Sequence, residues 1–265
     1  MRILFIGDIF ARWGRKIVKE RLNAIKEEHR IDFCIANGEN AAGGKGISKA
    51  VAKELYDAGV EAITLGNHAW DNNDVLTFID SDPRMVRAYN FPPETPGSGW
   101  TSIESNSGRR VVVAQLCCRL FMTAVDCPFR GADRMLDEIG GERIVIVDVH
   151  GEATSEKMAL GWRLNGRVSA VVGTHTHIPT ADERILPGGT AYITDAGMTG
   201  AYDSIIGMDI ETSLKRFETG MKIPFRVSKR NLRISAVVIE VDENTGRAQS
   251  IERLLDPPNL SEVQE

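Results

Sequence analysis

The stretch that decides the fold is "IDFCIANGENAAGGKGISKAVAKELYDAGVEAITLG", residues 31–66. Two apolar runs, "IDFCIANG" and "VEAITLG", each end at a glycine and are typical of buried strands. Between them, Ser48 suits the N-cap of a helix "KAVAKELYDAG", with Gly59 at its C′ position. The stretch therefore predicts strand, helix, strand, which places the two strands parallel in one sheet.

The same alternation continues on both sides of this stretch. "RILFIG", residues 2–7, predicts an earlier strand, and residues 12–29 place Val18, Leu22 and Ile25 on one helix face. Further strands are predicted, with fewer and shorter helices between them, at "RVVVAQL", "RIVIVDV", "RVSAVVG", "TAYIT" and "ISAVVIEV". So many strands for so few helices predict an α/β fold in which two packed mixed β-sheets are flanked by helices, as a four-layer sandwich.

Length and composition are typical of an ordinary globular protein. The 265 residues, 42% hydrophobic, predict a single domain spanning 1–265. Two long connections, at about 69–108 and 117–140, are either lids over a site or plain surface loops. The tail "LLDPPNLSEVQE", residues 254–265, is expected at the surface.

Charge, cysteine usage and hydropathy indicate which partners and which cellular compartment to expect. A net charge of −5 argues against a stable nucleic-acid complex, although the basic cluster 226–233 is either a solvated face or a phosphate contact. The four cysteines lack C-x-x-C spacing, so we expect reduced thiols. Because there is neither a signal sequence nor an apolar run of about 18 residues, we expect a cytoplasmic protein without a membrane span.

Two glycine-rich segments offer phosphate-binding alternatives. "NGENAAGGKGIS" is not a P-loop, because Gly44 stands where the spacing from Gly38 requires lysine, and Lys45 is followed by Gly46 and not by the Ser or Thr that has to hold magnesium. In "TDAGMTGAYDSIIGM", residues 194–208, small residues could let the backbone approach a phosphate, but a plain turn system explains them equally well.

Ligand-type side chains follow five of the predicted strands. They are Asp8, the pair Glu39 and Asn40, the pair Asn67 and His68, His150, and the pair His175 and His177 in "GTHTH". Since the carboxyl ends of parallel strands meet at one rim, we expect these residues in one crevice. Imidazole, carboxylate and amide oxygen suit iron, manganese or zinc better than thiolate-seeking ions.

In order and context, "GD" at 7–8, "GNH" at 66–68, His150 and "GTHTH" at 173–177 resemble the calcineurin-like metallophosphoesterases over nearly the whole chain. Phe10 stands where those enzymes usually have the histidine of D-x-H, and Glu39 stands for their bridging aspartate. These departures, with "NGENAAGGKGI", resemble the YmdB-like branch, whose members are described as 2′,3′-cyclic-nucleotide 2′-phosphodiesterases.

The resemblance implies two metal ions per chain, iron or manganese or both. It implies that Asp8 and His177 bind one ion, that Asn67, His150 and His175 bind the other, and that Glu39 bridges them. The amide oxygen of Asn40 is expected to replace the missing histidine. His68 is left free for proton transfer, whereas Asp71 and Asp74 are interpreted as helix-start residues.

Two ions roughly 3.5–4 Å apart can share a hydroxide that attacks phosphorus in line. The substrate implied is a small cyclic nucleotide or an RNA-end phosphodiester, with His68 protonating the departing ribose oxygen. Three alternatives stay open: a 3′,5′-cyclic nucleotide phosphodiesterase, a phosphomonoesterase, and a nucleotide-sensing regulatory protein with little turnover. The sequence identifies no substrate-binding residue and leaves homo-oligomer formation open.

Overall fold

The computed structural model describes residues 1–257, and within them strands and helices alternate as the sequence predicts. The strands are β1 (Arg2–Ile6), β2 (Asp8–Ile9), β3 (Phe33–Asn37), β4 (Ala62–Thr64), β5 (Met85–Val86), β6 (Trp100–Glu104), β7 (Arg110–Cys117), β8 (Ile144–His150), β9 (Ala170–Thr174), β10 (Arg184–Ile185), β11 (Ala191–Ile193), β12 (Met198–Ala201), β13 (Leu232–Val241) and β14 (Ala248–Asp256). The α-helices are α1 (Ala11–Glu28), α2 (Lys49–Asp57), α3 (Pro128–Ile139), α4 (Thr154–Leu164) and α5 (Ile210–Thr219).

Helix α2 begins and ends where the local sequence requires. The Ser48 hydroxyl accepts a hydrogen bond from the Val51 N–H at 3.3 Å, which pairs one of the free donors of the first turn. At the other end, Gly59 has a φ of 107°, a left-handed conformation that glycine adopts without strain. The predicted strand–helix–strand unit of residues 31–66 is therefore confirmed.

Two mixed sheets are formed. The first has the order β2-β12-β13-β1-β3-β4-β5, with β14 also paired to β13. Its β1, β3, β4 and β5 are parallel, whereas β13 is antiparallel to β1. The second has the order β10-β11-β9-β8-β7-β6, with β7, β8, β9 and β11 parallel and antiparallel strands at both edges.

Apolar clusters define four layers. One cluster lies between the two sheets and joins Phe5 and Ile35 to Val113 and Ile146. A second packs α1 and α2 on the outer face of the first sheet, and a third packs α3 and α4 on the outer face of the second. The predicted arrangement of two packed mixed sheets flanked by helices is confirmed.

The two long connections contain more regular structure than expected. Segment 117–140 is irregular only as far as Cys127, and then forms α3, which buries Ala132 and Met135 against the second sheet. Pro128 at the first helical turn favours this start. Segment 69–108 contains two short 3₁₀ helices, Asn73–Thr77 and Ile79–Ser81, together with β5 and β6.

The tail, the basic cluster and the cysteines can now be placed in the structure. Leu254 to Asp256 of the tail belong to β14, and residues 258–265 lie outside the described residues. The basic cluster is not one solvated face, because Arg233 is buried within β13. All four cysteines are free. In the part of the chain that the structure describes, no helix is long and apolar enough to cross a membrane.

Candidate metal centre

The side chains expected at one rim do meet there. Glu39 is buried at the centre of the group, with its Oε1 3.1 Å from His150 Nε2 and 3.2 Å from the amide nitrogen of Asn40. Glu39 Oε2 accepts a hydrogen bond from the His68 N–H at 2.8 Å. Glu39 Oε1 therefore lies between His150 and Asn40, which is the position expected of a bridging group.

A tight group lies on one side of Glu39. His150 Nε2 is 2.9 Å from Asn67 Oδ1 and 3.1 Å from His175 Nδ1. The ligand-type atoms of Glu39, His150 and His175 all lie within 4.8 Å of one another, which is a spacing that could hold a metal ion. Asn67 adds an amide oxygen to the same group.

A looser group lies on the other side. Asp8 is fully buried, and its Oδ1 is 4.0 Å from His177 Nε2 and has no hydrogen-bond partner among residues 1–257. The Asn40 amide nitrogen is 3.2 Å from the same His177 atom. An orphaned buried carboxylate oxygen facing an imidazole nitrogen fits a cation, because buried polar atoms are nearly always paired.

The orientation of Asn40 differs from the sequence-based expectation. Its Nδ2, and not its amide oxygen, points at Glu39 and His177. A half-turn of the amide would present the oxygen to a cation. The place that a histidine holds in related enzymes is filled by Phe10, whose ring packs edge-on against His177 with centroids 5.5 Å apart.

Burial and mutual charge interactions shift the pKa values of the carboxylates and imidazoles in this group. Burial raises the pKa of the Asp8 carboxyl to about 6, although the His177 and His150 rings oppose this. Burial would lower the pKa of His150, but the charge of Glu39 and the hydrogen bond between them raise it, and the same contact lowers the pKa of Glu39. Burial and the charge of His150 lower the pKa of His175 to about 3. A cation bound by these carboxylates would compete with a proton at His150 Nε2.

Residues behind His150 fix its tautomer, and the sequence analysis missed them. Thr174 Oγ1 donates to Asp148 Oδ1 at 2.6 Å, so it is free to accept from His150 Nδ1–H at 2.8 Å. Asp148 is itself held by Thr64 and Gln115. This arrangement leaves Nε2 of His150 as the ligand atom. A charged residue inside the apolar run "RIVIVDV" was the available signal.

A buried ion pair supports the loop that carries His175 and His177. Lys157 Nζ donates to Asp195 Oδ2 at 2.8 Å and to the Thr174 carbonyl at 3.1 Å. Asp195 also accepts from the N–H and hydroxyl of Thr176. Within the segment 194–208, Asp195 therefore supports the loop of His175 and His177, and Met198–Ala201 form β12.

His68 lies beside this group, at the edge of a cavity. Its Nδ1 is 2.9 Å from Asp71 Oδ2, and its ring is partly exposed. Asp71 is therefore an orienting partner of His68, whereas only Asp74 lies in the first turn of a helix. The interpretation of Asp71 as a helix-start residue was wrong, because the i, i+3 spacing brings it back to the ring.

Two mixed sheets within helices, with imidazole, carboxylate and amide groups at one rim, define the class of calcineurin-like metallophosphoesterases. Residues 4–254 match the family described as "YmdB-like protein", and the chain belongs to that family.

Individual relatives agree with this assignment. A 2′,3′-cyclic-nucleotide 2′-phosphodiesterase from Bacillus subtilis (strain 168) is 50% identical over 256 residues, covering 96% of this chain and 97% of the relative. A crystal structure of a hypothetical protein from Thermus thermophilus superimposes with a TM-score of 0.90 at 47% identity, covering 96% and 98%. A novel phosphatase from Mycoplasma pneumoniae gives a TM-score of 0.89 at 34% identity, covering 96% and 92%.

Proposed function

We propose that this chain is a metal-dependent phosphodiesterase that opens 2′,3′-cyclic nucleotides at the 2′-oxygen. Hydrolysis of phosphoric diesters follows from family membership, and the finer substrate follows from the Bacillus subtilis relative. The observation that carries the proposal is the position of Glu39, whose Oε1 lies near His150 of one group and near Asn40 of the other.

The residues present fit two metal ions. Asn67, His150 and His175 would hold one ion, Asp8 and His177 with Asn40 would hold the other, and Glu39 would contact both. Iron and manganese suit this mixture of imidazole, carboxylate and amide groups. When bound, two such ions supply Lewis acidity to a water nucleophile and to the phosphoryl oxygens.

The chain's own residues supply orientation and a proton. Asp71 accepts from His68 Nδ1, which leaves His68 Nε2 to hold a proton for the departing 2′-oxygen. Hydrolysis then breaks the bond from phosphorus to that oxygen, the oxygen takes the proton, and the phosphate stays on the 3′-oxygen. Thr174 and Asp148 keep the His150 ring fixed while this occurs.

A hydrolysis panel on the metal-loaded protein tests this function. We expect the highest kcat/KM on 2′,3′-cyclic nucleotides, with the nucleoside 3′-monophosphate as product by ³¹P NMR. Higher kcat/KM on 3′,5′-cyclic nucleotides or on monoesters would replace the proposed substrate class. Tight nucleotide binding without turnover would favour the sensor alternative.

A further inference from the structure

A cavity of about 610 Å³ opens beside the proposed metal centre and is bordered by Glu39, His68 and His177. Its far side is formed by residues 205–225, which include α5 and which we call the 205–225 wall. The cavity volume lies within the range of roughly 300–1,000 Å³ that small-molecule sites occupy. The proposed metal centre accounts only for the near side of this cavity.

A buried hydroxyl without a partner lines the wall. Ser213 is the buried residue of α5 and is 4% exposed, yet its Oγ has no hydrogen-bond partner among residues 1–257. Unpaired buried polar atoms are rare in folded proteins and call for a ligand or an ordered water. Because Ser213 also lines the cavity, its hydroxyl is a polar group that the wall offers to a bound molecule.

Apart from two cations, Arg216 and Lys222, the rest of the wall is mainly aromatic and apolar. Phe217 is 80% exposed and Phe225 is 54% exposed, and Met221 lies between them along the chain. The Arg216 guanidinium lies 3.9 Å from the Phe225 ring centroid and donates to the Ile223 carbonyl at 2.6 Å, which holds the end of the wall in place. An uncovered aromatic surface next to the proposed metal centre fits a flat heterocycle linked to a phosphate.

The wall is tied to the proposed metal centre. His177 Nδ1 lies 3.2 Å from the Ile206 carbonyl oxygen, so the near end of the wall contacts the same ring that faces Asp8. The contact between His177 and Ile206 therefore fixes the wall relative to the proposed metal centre.

We propose that the 205–225 wall binds the nucleobase of the substrate, with Phe217 stacked on the base and the Ser213 hydroxyl hydrogen-bonded to its edge. This inference rests on the proposed function and adds the part of the substrate that is recognised. Stacking accepts every base, so the wall selects nucleotides over base-free cyclic phosphates with little preference among bases.

Two substrates with the same reacting ring separate base binding from chemistry. They are adenosine 2′,3′-cyclic phosphate and the 2′,3′-cyclic phosphate of methyl β-D-ribofuranoside. The wild-type protein should prefer the nucleotide in kcat/KM. Phe217→Ala should reduce kcat/KM for the nucleotide by roughly 5- to 100-fold, mainly through KM, and leave the base-free substrate unchanged. Ser213→Ala should reduce it by roughly 2- to 12-fold.

Leu214→Ala is the matched control. Leu214 is 47% exposed on the same helix but does not line the cavity, so both substrates should be turned over as by the wild type. Equal wild-type kcat/KM on the two substrates would overturn base binding while leaving the proposed function intact. A shift of oligomeric state in both Phe217→Ala and Leu214→Ala, with base preference unchanged, would make the wall a contact between two copies and overturn it as well.

Binding of adenosine 3′-monophosphate, measured by titration calorimetry, provides a readout without turnover. We expect Phe217→Ala to weaken it and Leu214→Ala not to. If neither cyclic phosphate is hydrolysed, the proposed function fails, and this titration still decides on the wall. An affinity that Phe217→Ala leaves unchanged would overturn the inference.

Discussion

His68 is distinguished from the other histidines of the site by what its ring contacts. The rings of His150 and His175 contact each other beside Glu39, whereas the His68 ring contacts Asp71 and only its backbone N–H reaches Glu39. A ring held by one carboxylate, at the edge of a cavity, is suited to deliver a proton. The proposed function thus assigns proton transfer and metal binding to neighbouring residues, His68 and Asn67.

His68→Ala is therefore expected to keep its metals and to lose roughly 10²–10⁴-fold in kcat on a cyclic nucleotide, the usual span for general acid catalysis. On an activated nitrophenyl phosphodiester the loss should be much smaller, because nitrophenolate leaves without a proton. Kinetics on both substrates and elemental analysis are the measurements. Equal losses on both would assign His68 to binding or charge stabilisation, and loss of metal would make it a ligand.

Glu39→Gln is expected to remove metal from both groups and abolish turnover. An amide carries no charge, whereas the Glu39 carboxylate lies between the two groups, with its Oε1 near both His150 and Asn40. Elemental analysis and the cyclic-nucleotide assay measure the two effects, and Glu94→Gln, in the loop 91–99, serves as a surface control. A variant that keeps two metals and most of its kcat would show that Glu39 is not the bridge.

At the level of single residues, the sequence predicts the side chains that point into the site but not those behind them. Asp8, Glu39 and His150 each end an apolar run, so their common location follows from strand polarity. Asp148 and Lys157 contribute through partners from other strands, and no spacing in the sequence links those partners. The orientation of the Asn40 amide likewise depends on its neighbours in three dimensions, Glu39 and His177.

The loop after β9 is the element that carries two of the proposed ligands. His175 has a φ of 101° and His177 a φ of 66°, a conformation that non-glycine residues adopt only when their surroundings impose it. The buried Lys157–Asp195 pair provides that constraint through Thr174 and Thr176. The ion pair therefore stabilises the strained backbone conformation of this loop.

Lys157→Met is expected to lower the free energy of unfolding by about 3–5 kcal/mol, because it leaves Asp195 charged and buried without its cation. Metal affinity should fall as well, since the loop loses a support. Urea unfolding and metal titration are the measurements. Lys53→Met is the matched control, because its exposed pair with Asp57 contributes within about 1 kcal/mol. Similar small losses in both variants would contradict the role of the buried pair.

Element prediction succeeded where an element buries a continuous apolar face. The runs of β1, β7 and β8 are long enough to read directly. Strands of two residues, such as β2 and β10, have no period to detect. Helix α5 escaped prediction because its large apolar side chains, such as Leu214 and Phe217, are exposed beside the cavity and mark no core face.

For the whole molecule, the count of strands against helices was enough to predict four layers, but not the order of strands. Strand β13 lies antiparallel to β1 across more than 200 residues of sequence, and pairs Phe5 with Val237. No local sequence pattern identifies the pairing partner of either strand, because both strands are buried on both faces and have similar apolar sequences. The order follows from global packing.

Metal content is the property that tests the whole arrangement at once, because the proposed ligands come from strands of both sheets. We expect close to two iron or manganese ions per chain after reconstitution, measured by elemental analysis. At a free concentration 100-fold above its Kd, each ion should stabilise the fold by about 2.7 kcal/mol. For a chain of this size, that raises Tm by about 5–11 °C per ion. Chelation should reverse the rise, because the buried Asp8 and Glu39 carboxylates would again lack a cation. A plateau at one ion per chain would remove the bridging role of Glu39, and two ions without any rise in Tm would place them outside this buried group.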